Sequence, residues 1–70
     1  MAHTDRKALI KRREVLARTA LANSTLYRLM KTGDFPQSVP IGPRAVAWVE
    51  EEIDAWIDQR IEAARRQGVA

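Results

Sequence analysis

The stretch ALANSTLYRLMKTGDFP, residues 20–36, decides how this chain folds. On a helical wheel at about 100° per residue, Leu26, Leu29 and Met30 fall on one side. The opposite side carries polar and aromatic side chains: Ser24, Arg28, Lys31 and, on the flank, Tyr27. The pattern predicts a short amphipathic helix, about residues 24–32, that packs on one face and leaves the other in solvent.

Both ends of this helix are marked in the sequence. The Asn-Ser-Thr run at residues 23–25 offers N-cap chemistry, because short polar side chains accept hydrogen bonds from free backbone N–H groups. At the other end Gly33 can adopt the left-handed conformation that closes a helix, and Pro36 prevents its resumption. Phe35, between them, is expected to fill the space under the turn.

A second short helix precedes it in LIKRREVLARTAL, residues 9–21. Three residues share one face of it: Val15, Leu16 and Thr19. This spacing predicts a helix over about residues 13–20, after either a very short strand or an apolar lead-in at residues 9–10. Two short helices joined by three or four residues form a helix-turn-helix unit.

The next segment, PQSVPIGPRAVAWVE at residues 36–50, has the alternation of a β-hairpin. Its apolar positions are Val39, Ile41, Val46 and Trp48. Gly42-Pro43 is typical of a hairpin tip, and Arg44 follows directly. Pro40 cannot donate to a β-ladder, so its strand is expected at an edge. We predict a hairpin, the wing, over about residues 38–49.

The segment VEEEIDAWIDQRIEAARR predicts a C-terminal helix over about residues 50–66, with Gly68 ending it. Its apolar stripe is Val49, Ile53, Trp56, Ile57, Ile61 and Ala64. Three glutamates occupy the first turn and two arginines the last, which suits the helix dipole. Both tryptophans are expected in the core, since so short a chain needs their bulk.

These elements predict a mainly α fold with a small β-hairpin wing, a winged helix-turn-helix domain over residues 9–67. Residues 1–8 are polar and unpatterned, and we expect them to form a mobile N-terminal arm. With 70 residues the chain is one domain with a small core.

Several classes of function find no support in the residues. The chain has no cysteine and one histidine, so neither a metal site nor a cofactor is expected. No nucleophile–base pair or phosphate loop suggests an enzyme. No apolar run is long enough for a bilayer and no signal-peptide pattern opens the chain, so we expect a cytoplasmic, nucleoid-associated protein.

The charge distribution points to a polyanion. Residues 1–49 carry nine Lys/Arg and three acids, whereas residues 50–70 carry six acids and three arginines. A helix of about 10–12 Å diameter fits the major groove of DNA. The expected DNA contacts are Asn23, Ser24, Thr25, Tyr27, Arg28, Lys31 and the wing residue Arg44. Candidates for phosphate contacts are Arg12, Arg13 and Arg18, with ordinary solvated charge as the alternative.

Three motifs carry a family resemblance: STLYRL, the G-x-F-P of GDFP, and GPRAVAW. Together they resemble the AlpA-type prophage regulators, small excisionase-like proteins with a MerR-like winged helix-turn-helix. The likeness runs from about Leu9 to Ile61. It implies sequence-specific binding of double-stranded DNA, as a transcriptional regulator or as an excisionase, a recombination directionality factor. On this resemblance the recognition helix carries Ser24, Thr25, Tyr27 and Arg28.

Two positions depart from the family pattern. The family usually has glycine where Ala20 stands, and a left-handed alanine costs roughly 1 kcal/mol. It usually has a serine cap where Ala22 stands, so Asn23 or Ser24 is expected to take over the cap and shift the helix start by a residue.

The sequence allows more than one role for Tyr27 and more than one kind of partner for the protein. Tyr27 either contacts DNA or edges the core. A single recognition helix reads few base pairs, so a homodimer or a cooperative array on DNA is expected. An integrase or recombinase, or RNA polymerase, is a further candidate partner. A protein-interaction adaptor or antirepressor, binding through the acidic long helix, is the competing function from a different class.

Overall fold

The computed structural model of the chain describes residues 7–67. The elements are β1 Leu9–Ile10, α1 Arg12–Thr19, α2 Asn23–Lys31, β2 Val39–Gly42, β3 Ala45–Val49 and α3 Glu50–Arg66. The predicted fold class is confirmed: three helices accompany a small antiparallel sheet, as in a winged helix-turn-helix. Most of the expected arm, and Gly68 at the expected end of α3, lie outside the described residues.

The sheet has the strand order β1-β3-β2, and both pairings are antiparallel. Leu9 pairs with Val49, so residues 9–10 form a very short strand rather than an apolar lead-in. Pro40 lies on β2, an edge strand, as its missing N–H predicted. The hairpin turns at residues 43–44, which puts Arg44 in the tip itself rather than just past it.

Each helix contributes one fully buried residue to the core: Val15 from α1, Leu26 from α2 and Ile53 from α3. Trp48 of β3 is also fully buried, and Phe35 lies under the turn after α2, as predicted. Apolar burial of this kind is the main favourable term in folding. The core therefore sits between the helix-turn-helix and the sheet, with all three helices around it.

Trp56 of α3 packs at the edge of this core, against the segment that follows α2. Its ring meets that of Phe35 edge-on, with centroids 4.7 Å apart. Its indole Nε1 donates a hydrogen bond to the Asp34 carbonyl oxygen at 2.8 Å. A half-buried Trp usually finds such a partner for its polar tip. The contact fixes the end of α2 against α3, and both tryptophans are core residues as expected.

The apolar stripe of α3 is buried only as far as Ile57, so its continuation through Ile61 and Ala64 does not reach the core. Every described residue from Asp58 to Gln67 is exposed, and Ile61 retains 43% of its surface. A helix of 17 residues is about 26 Å long, and the sheet and the helix-turn-helix cover only its first half. The last two turns of α3 therefore project beyond the core.

The turn between α1 and α2 depends on one strained residue. Ala20 has φ 62° and ψ 20°, the left-handed conformation that the family resemblance implied for this position. Its N–H donates to the Leu16 carbonyl at 2.8 Å. Thr19 Oγ1 donates to the Val15 carbonyl at 2.8 Å and accepts from the Leu21 N–H at 3.3 Å. These bonds hold the tight turn that sets α2 against α1.

The expectation that Asn23 or Ser24 takes over the cap of α2 is wrong. Ala22 is the N-cap residue, with φ −80° and ψ 156°, and no side chain caps the helix. The backbone alone sets the start, because the Leu26 N–H donates to the Ala22 carbonyl at 3.0 Å. Asn23 is therefore the first helical residue, and the helix is not shifted.

The C-terminal end of α2 is closed as predicted by Gly33, which has φ 82°. The Asp34 N–H donates to the Leu29 carbonyl at 2.8 Å, and the Gly33 N–H to the Met30 carbonyl at 3.2 Å. These two bonds are the Schellman pattern that satisfies the last carbonyls of a helix.

Candidate nucleic-acid interface

The outer face of α2, formed by Ser24, Tyr27, Arg28 and Lys31, is exposed along its whole length. Leu26 on the other side is fully buried, so the amphipathic pattern orients the helix as predicted. Tyr27 retains 44% of its surface, and its ring is available to a ligand. Thr25 is half-buried, at the border between the two faces.

The N-terminal end of α2 is electropositive. With no side-chain cap, the N–H groups of its first turn, residues 23–25, keep their hydrogen-bonding capacity. The first turn holds no acidic residue, and Arg28 and Lys31 follow in the last turn. Free N–H groups at a helix start attract anions, and phosphate is an anion commonly bound there.

The wing presents a basic and apolar surface. The segment 37–49 contains no acidic residue, and its one charged residue, Arg44, is exposed at the tip. Three apolar side chains of the wing are also exposed: Val39, Ile41 and Val46. A single cation without local carboxylates is able to contact an external anion.

The three arginines of α1 differ in their surroundings. Arg12 Nη1 donates to the Asn23 side-chain oxygen, Oδ1, at 3.2 Å, which joins the start of α1 to the start of α2. Arg13 is exposed, and no carboxylate in the described part of the chain pairs with it. Arg13 is therefore able to act toward a ligand, whereas Arg12 is engaged with Asn23.

Arg18 lies instead among carboxylates. Its guanidinium is 2.9 Å from Glu14, 2.9 Å from Glu50 and 3.4 Å from Asp54. Hydrogen bonds to Glu14 and Glu50 raise the pKa of Arg18 above its ordinary value. The arginine links α1 to the start of α3, and acids surround the group that was expected to contact phosphate. These ion pairs compete with a contact between Arg18 and a DNA phosphate, and that contact stays a prediction.

The remaining arginines with contacts lie on α3, away from α2 and the wing in sequence. Arg66 pairs with Glu62 at 3.3 Å, and the Arg60 guanidinium carbon lies 4.9 Å from the centre of the Trp56 ring. Arg60 thus covers an aromatic face, as expected for an arginine at the edge of an apolar stripe.

The sequence suggested candidate residues for an interface but not the link between Arg12 and Asn23. The two are eleven positions apart and belong to different helices, so no local pattern relates them. Within residues 7–67 no group of three His, Cys, Asp or Glu side chains could hold a metal ion. No helix in that same range is long and apolar enough to span a bilayer.

The chain is similar to proteins of phage and prophage origin. A protein of Enterobacteria phage P4, uncharacterized protein ORF88, is 42% identical over 55 residues, which are 79% of this chain and 61% of that protein. This chain thus covers about three fifths of the phage protein's length. The DNA-binding transcriptional activator AlpA of Escherichia coli strain K12 is 33% identical over 52 residues, 66% of this chain and 74% of that protein.

A family model supports the same relationship. The model described as Prophage CP4-57 regulatory protein (AlpA) matches residues 8–61, which run from the residue before β1 into the projecting half of α3. That range includes the whole helix-turn-helix and the wing. The chain belongs to the AlpA family of prophage regulatory proteins.

Proposed function

We propose that this protein is a transcriptional regulator that binds double-stranded DNA in a sequence-specific way. α2 lies in the major groove as the recognition helix, and the wing rests on the adjacent backbone. The K12 relative is named as a DNA-binding transcriptional activator, which favours transcription over excision as the role. The protein acts in the cytoplasm, on the nucleoid, and needs no cofactor.

The exposed outer face of α2 is the observation that carries this proposal. Only the opposite side of α2 packs against the core, so Arg28 and Lys31 on the outer face do not contribute to core packing. Arg28 is assigned to a base edge, because an arginine can donate two hydrogen bonds to guanine O6 and N7. Ser24, Thr25 and Tyr27 flank it as further contacts to bases, sugar or phosphate.

Three cations are assigned to phosphates. Lys31 lies at the end of the outer face, Arg44 at the tip of the wing and Arg13 at the start of α1. None of the three pairs with a carboxylate in the described range. Phosphate contacts of this kind set register and orientation on the duplex, whereas base contacts set sequence preference.

A binding experiment tests the assignment. A duplex selected from a randomised library serves as the cognate site, and affinities are compared by gel shift on cognate and mismatched duplexes. Arg28→Ala should cost about 1–3 kcal/mol on the cognate duplex and flatten the preference over mismatches. Lys31→Ala and Arg44→Ala should weaken all duplexes by similar factors.

Arg65→Ala is the matched control, because it removes the same charge from the projecting end of α3. It should leave both affinity and preference unchanged. Equal losses for Arg65→Ala and Arg28→Ala would contradict the proposal, since they would show a response to net charge rather than to a defined face.

A second candidate function has one observation in its favour. The last two turns of α3 project from the core with Ile61 exposed between charged residues, as a docking helix would. An adaptor or antirepressor would bind a protein there, and an integrase or RNA polymerase would fit as partner. In that case Ile61→Asp would abolish regulation in cells while binding to the selected duplex stayed intact.

A further inference from the structure

The amide of Asn23 is oriented by a residue of another helix. Arg12 Nη1 lies 3.2 Å from Asn23 Oδ1, and both side chains are exposed. A guanidinium has hydrogen-bond donors and no acceptor. The amide atom beside it must therefore be the oxygen, because the amide nitrogen would point its own N–H groups at those of the guanidinium. The contact therefore determines which end of the amide is left for a ligand.

The free end of the amide is Nδ2, which carries two N–H donors. Asn23 is the first residue of α2, and recognition helices direct their N-terminal residues at base edges. An asparagine that reads adenine needs both of its ends, because Oδ1 accepts from adenine N6 while Nδ2 donates to N7. Arg12 already occupies one of the two lone pairs of Oδ1, so an adenine N6–H that approached the same oxygen would meet the donors of the guanidinium, whereas the Nδ2 donors meet no such competition from Arg12.

We propose that Arg12 is a positioning residue that commits Asn23 to an acceptor on a base edge, at guanine or thymine rather than adenine. Guanine presents N7 and O6 in the major groove and thymine presents O4. The inference rests on the proposed DNA binding and refines it. It gives Arg12 a role in sequence preference, different from the phosphate contact expected from the sequence.

Arg13 supplies a matched comparison for Arg12. The two arginines are adjacent at the start of α1 and equally charged, yet the side-chain bond to α2 comes from Arg12. Removing either one takes one positive charge from the same end of the molecule. A difference in base preference between the two variants then reports the contact to Asn23, not the charge.

The experiment is a double-mutant cycle with Arg12→Met and Asn23→Ala, since methionine keeps an apolar stem without donors. The four proteins are measured on duplexes carrying each base at the position where Asn23→Ala changes preference. Wild type should favour guanine or thymine over adenine by about fivefold or more. Arg12→Met should lose this preference, and should have no further effect on it when Asn23 is already alanine.

Arg13→Met should instead weaken all four duplexes by one common factor and keep the preference. Both arginines are exposed, so the midpoint of thermal unfolding should stay close to that of wild type in every variant. An unchanged midpoint separates an effect on recognition from an effect on folding.

Two results would overturn the inference. One is a wild-type preference for adenine at the Asn23 position. The other is an equal loss on all four bases for Arg12→Met with the preference intact, which would make Arg12 an ordinary phosphate contact. Absence of any sequence preference in the wild-type protein would instead refute the proposed function. Specific binding that Arg28→Ala relaxes and Arg12→Met does not would refute this inference alone.

Discussion

At the scale of single residues, the turn between α1 and α2 contains an alanine in a conformation that glycine would adopt with less strain. Ala20 occupies a left-handed conformation, with φ 62°, where its Cβ approaches the following carbonyl oxygen. Glycine has no Cβ and adopts this conformation at no steric cost. The strain lies at the junction that orients α2, so relieving it stabilises the fold and leaves the outer face of α2 unchanged.

Ala20→Gly should therefore raise the free energy of unfolding by about 1 kcal/mol, measured by urea denaturation. The matched control is Ala17→Gly, at an exposed position inside α1 with ordinary helical geometry. That change should lower the free energy of unfolding by about 0.5–1 kcal/mol, since glycine is unfavourable in a helix. Losses of similar size in both variants would show that the left-handed conformation at Ala20 carries no strain.

The uncapped start of α2 leads to a second prediction. Ala22→Ser should stabilise the protein by about 1 kcal/mol, because a serine at the N-cap accepts a hydrogen bond from the first turn. Asn23→Ala should change the free energy of unfolding by less than about 0.5 kcal/mol, as Asn23 is already helical and exposed. The reverse result in thermal or urea unfolding would mean that the helix begins one residue later.

At the scale of elements, α3 has two halves with different tasks. Its first half packs on the core through Ile53 and Trp56, and Glu50 receives Arg18 from α1. Its second half projects into solvent with Ile61 exposed. Sequence periodicity cannot distinguish these halves, because the apolar stripe continues through both.

Replacing one isoleucine by alanine in each half of α3 should show that only the first half contributes to stability. Ile53→Ala should cost about 2–5 kcal/mol, since Ile53 is fully buried and the change leaves a cavity. That is a large share of the roughly 4–10 kcal/mol expected for a domain of 70 residues. Ile61→Ala removes the same atoms from an exposed position and should cost less than about 0.5 kcal/mol. Equal costs in urea unfolding would place Ile61 in a core contact.

At the scale of the whole molecule, the sequence predicts well those features that depend on a few neighbouring residues, such as helix ends and buried faces. The end of α2 follows from Gly33 and Pro36, and its buried side follows from the spacing of Leu26, Leu29 and Met30. The exposed face of the candidate site could be read from that same spacing. What could not be read depends on where other elements end or approach.

Arg18 and Ile61 show why contacts between distant elements could not be predicted from the sequence. Arg18 looks like any other cation of α1 until α3 brings Glu50 and Asp54 beside it. Ile61 continues an apolar stripe, but the sheet ends before it reaches that turn of α3. The link between Arg12 and Asn23 depends in the same way on the angle between two helices. Each is a property of packing across many residues rather than of a local pattern.

At the scale of the whole molecule, the proposed phosphate contacts predict a DNA affinity that falls with salt concentration. Three cations, Arg13, Lys31 and Arg44, are assigned to phosphates, and each releases counterions on binding. The logarithm of the binding constant should fall with the logarithm of salt concentration with a slope of about −3. The double variant Lys31→Ala/Arg44→Ala should bring the slope to about −1, measured by fluorescence anisotropy on the cognate duplex.

The control for this slope removes two positive charges elsewhere, in Arg65→Ala/Arg66→Ala. Both residues lie on the projecting half of α3, so the net charge changes equally while the assigned phosphate contacts remain. The slope should then stay near that of wild type, because counterion release counts phosphate contacts rather than total charge. A slope that falls by the same amount in both double variants, or one near zero in wild type, would contradict binding through α2 and the wing. It would favour a partner held by contacts that salt does not screen.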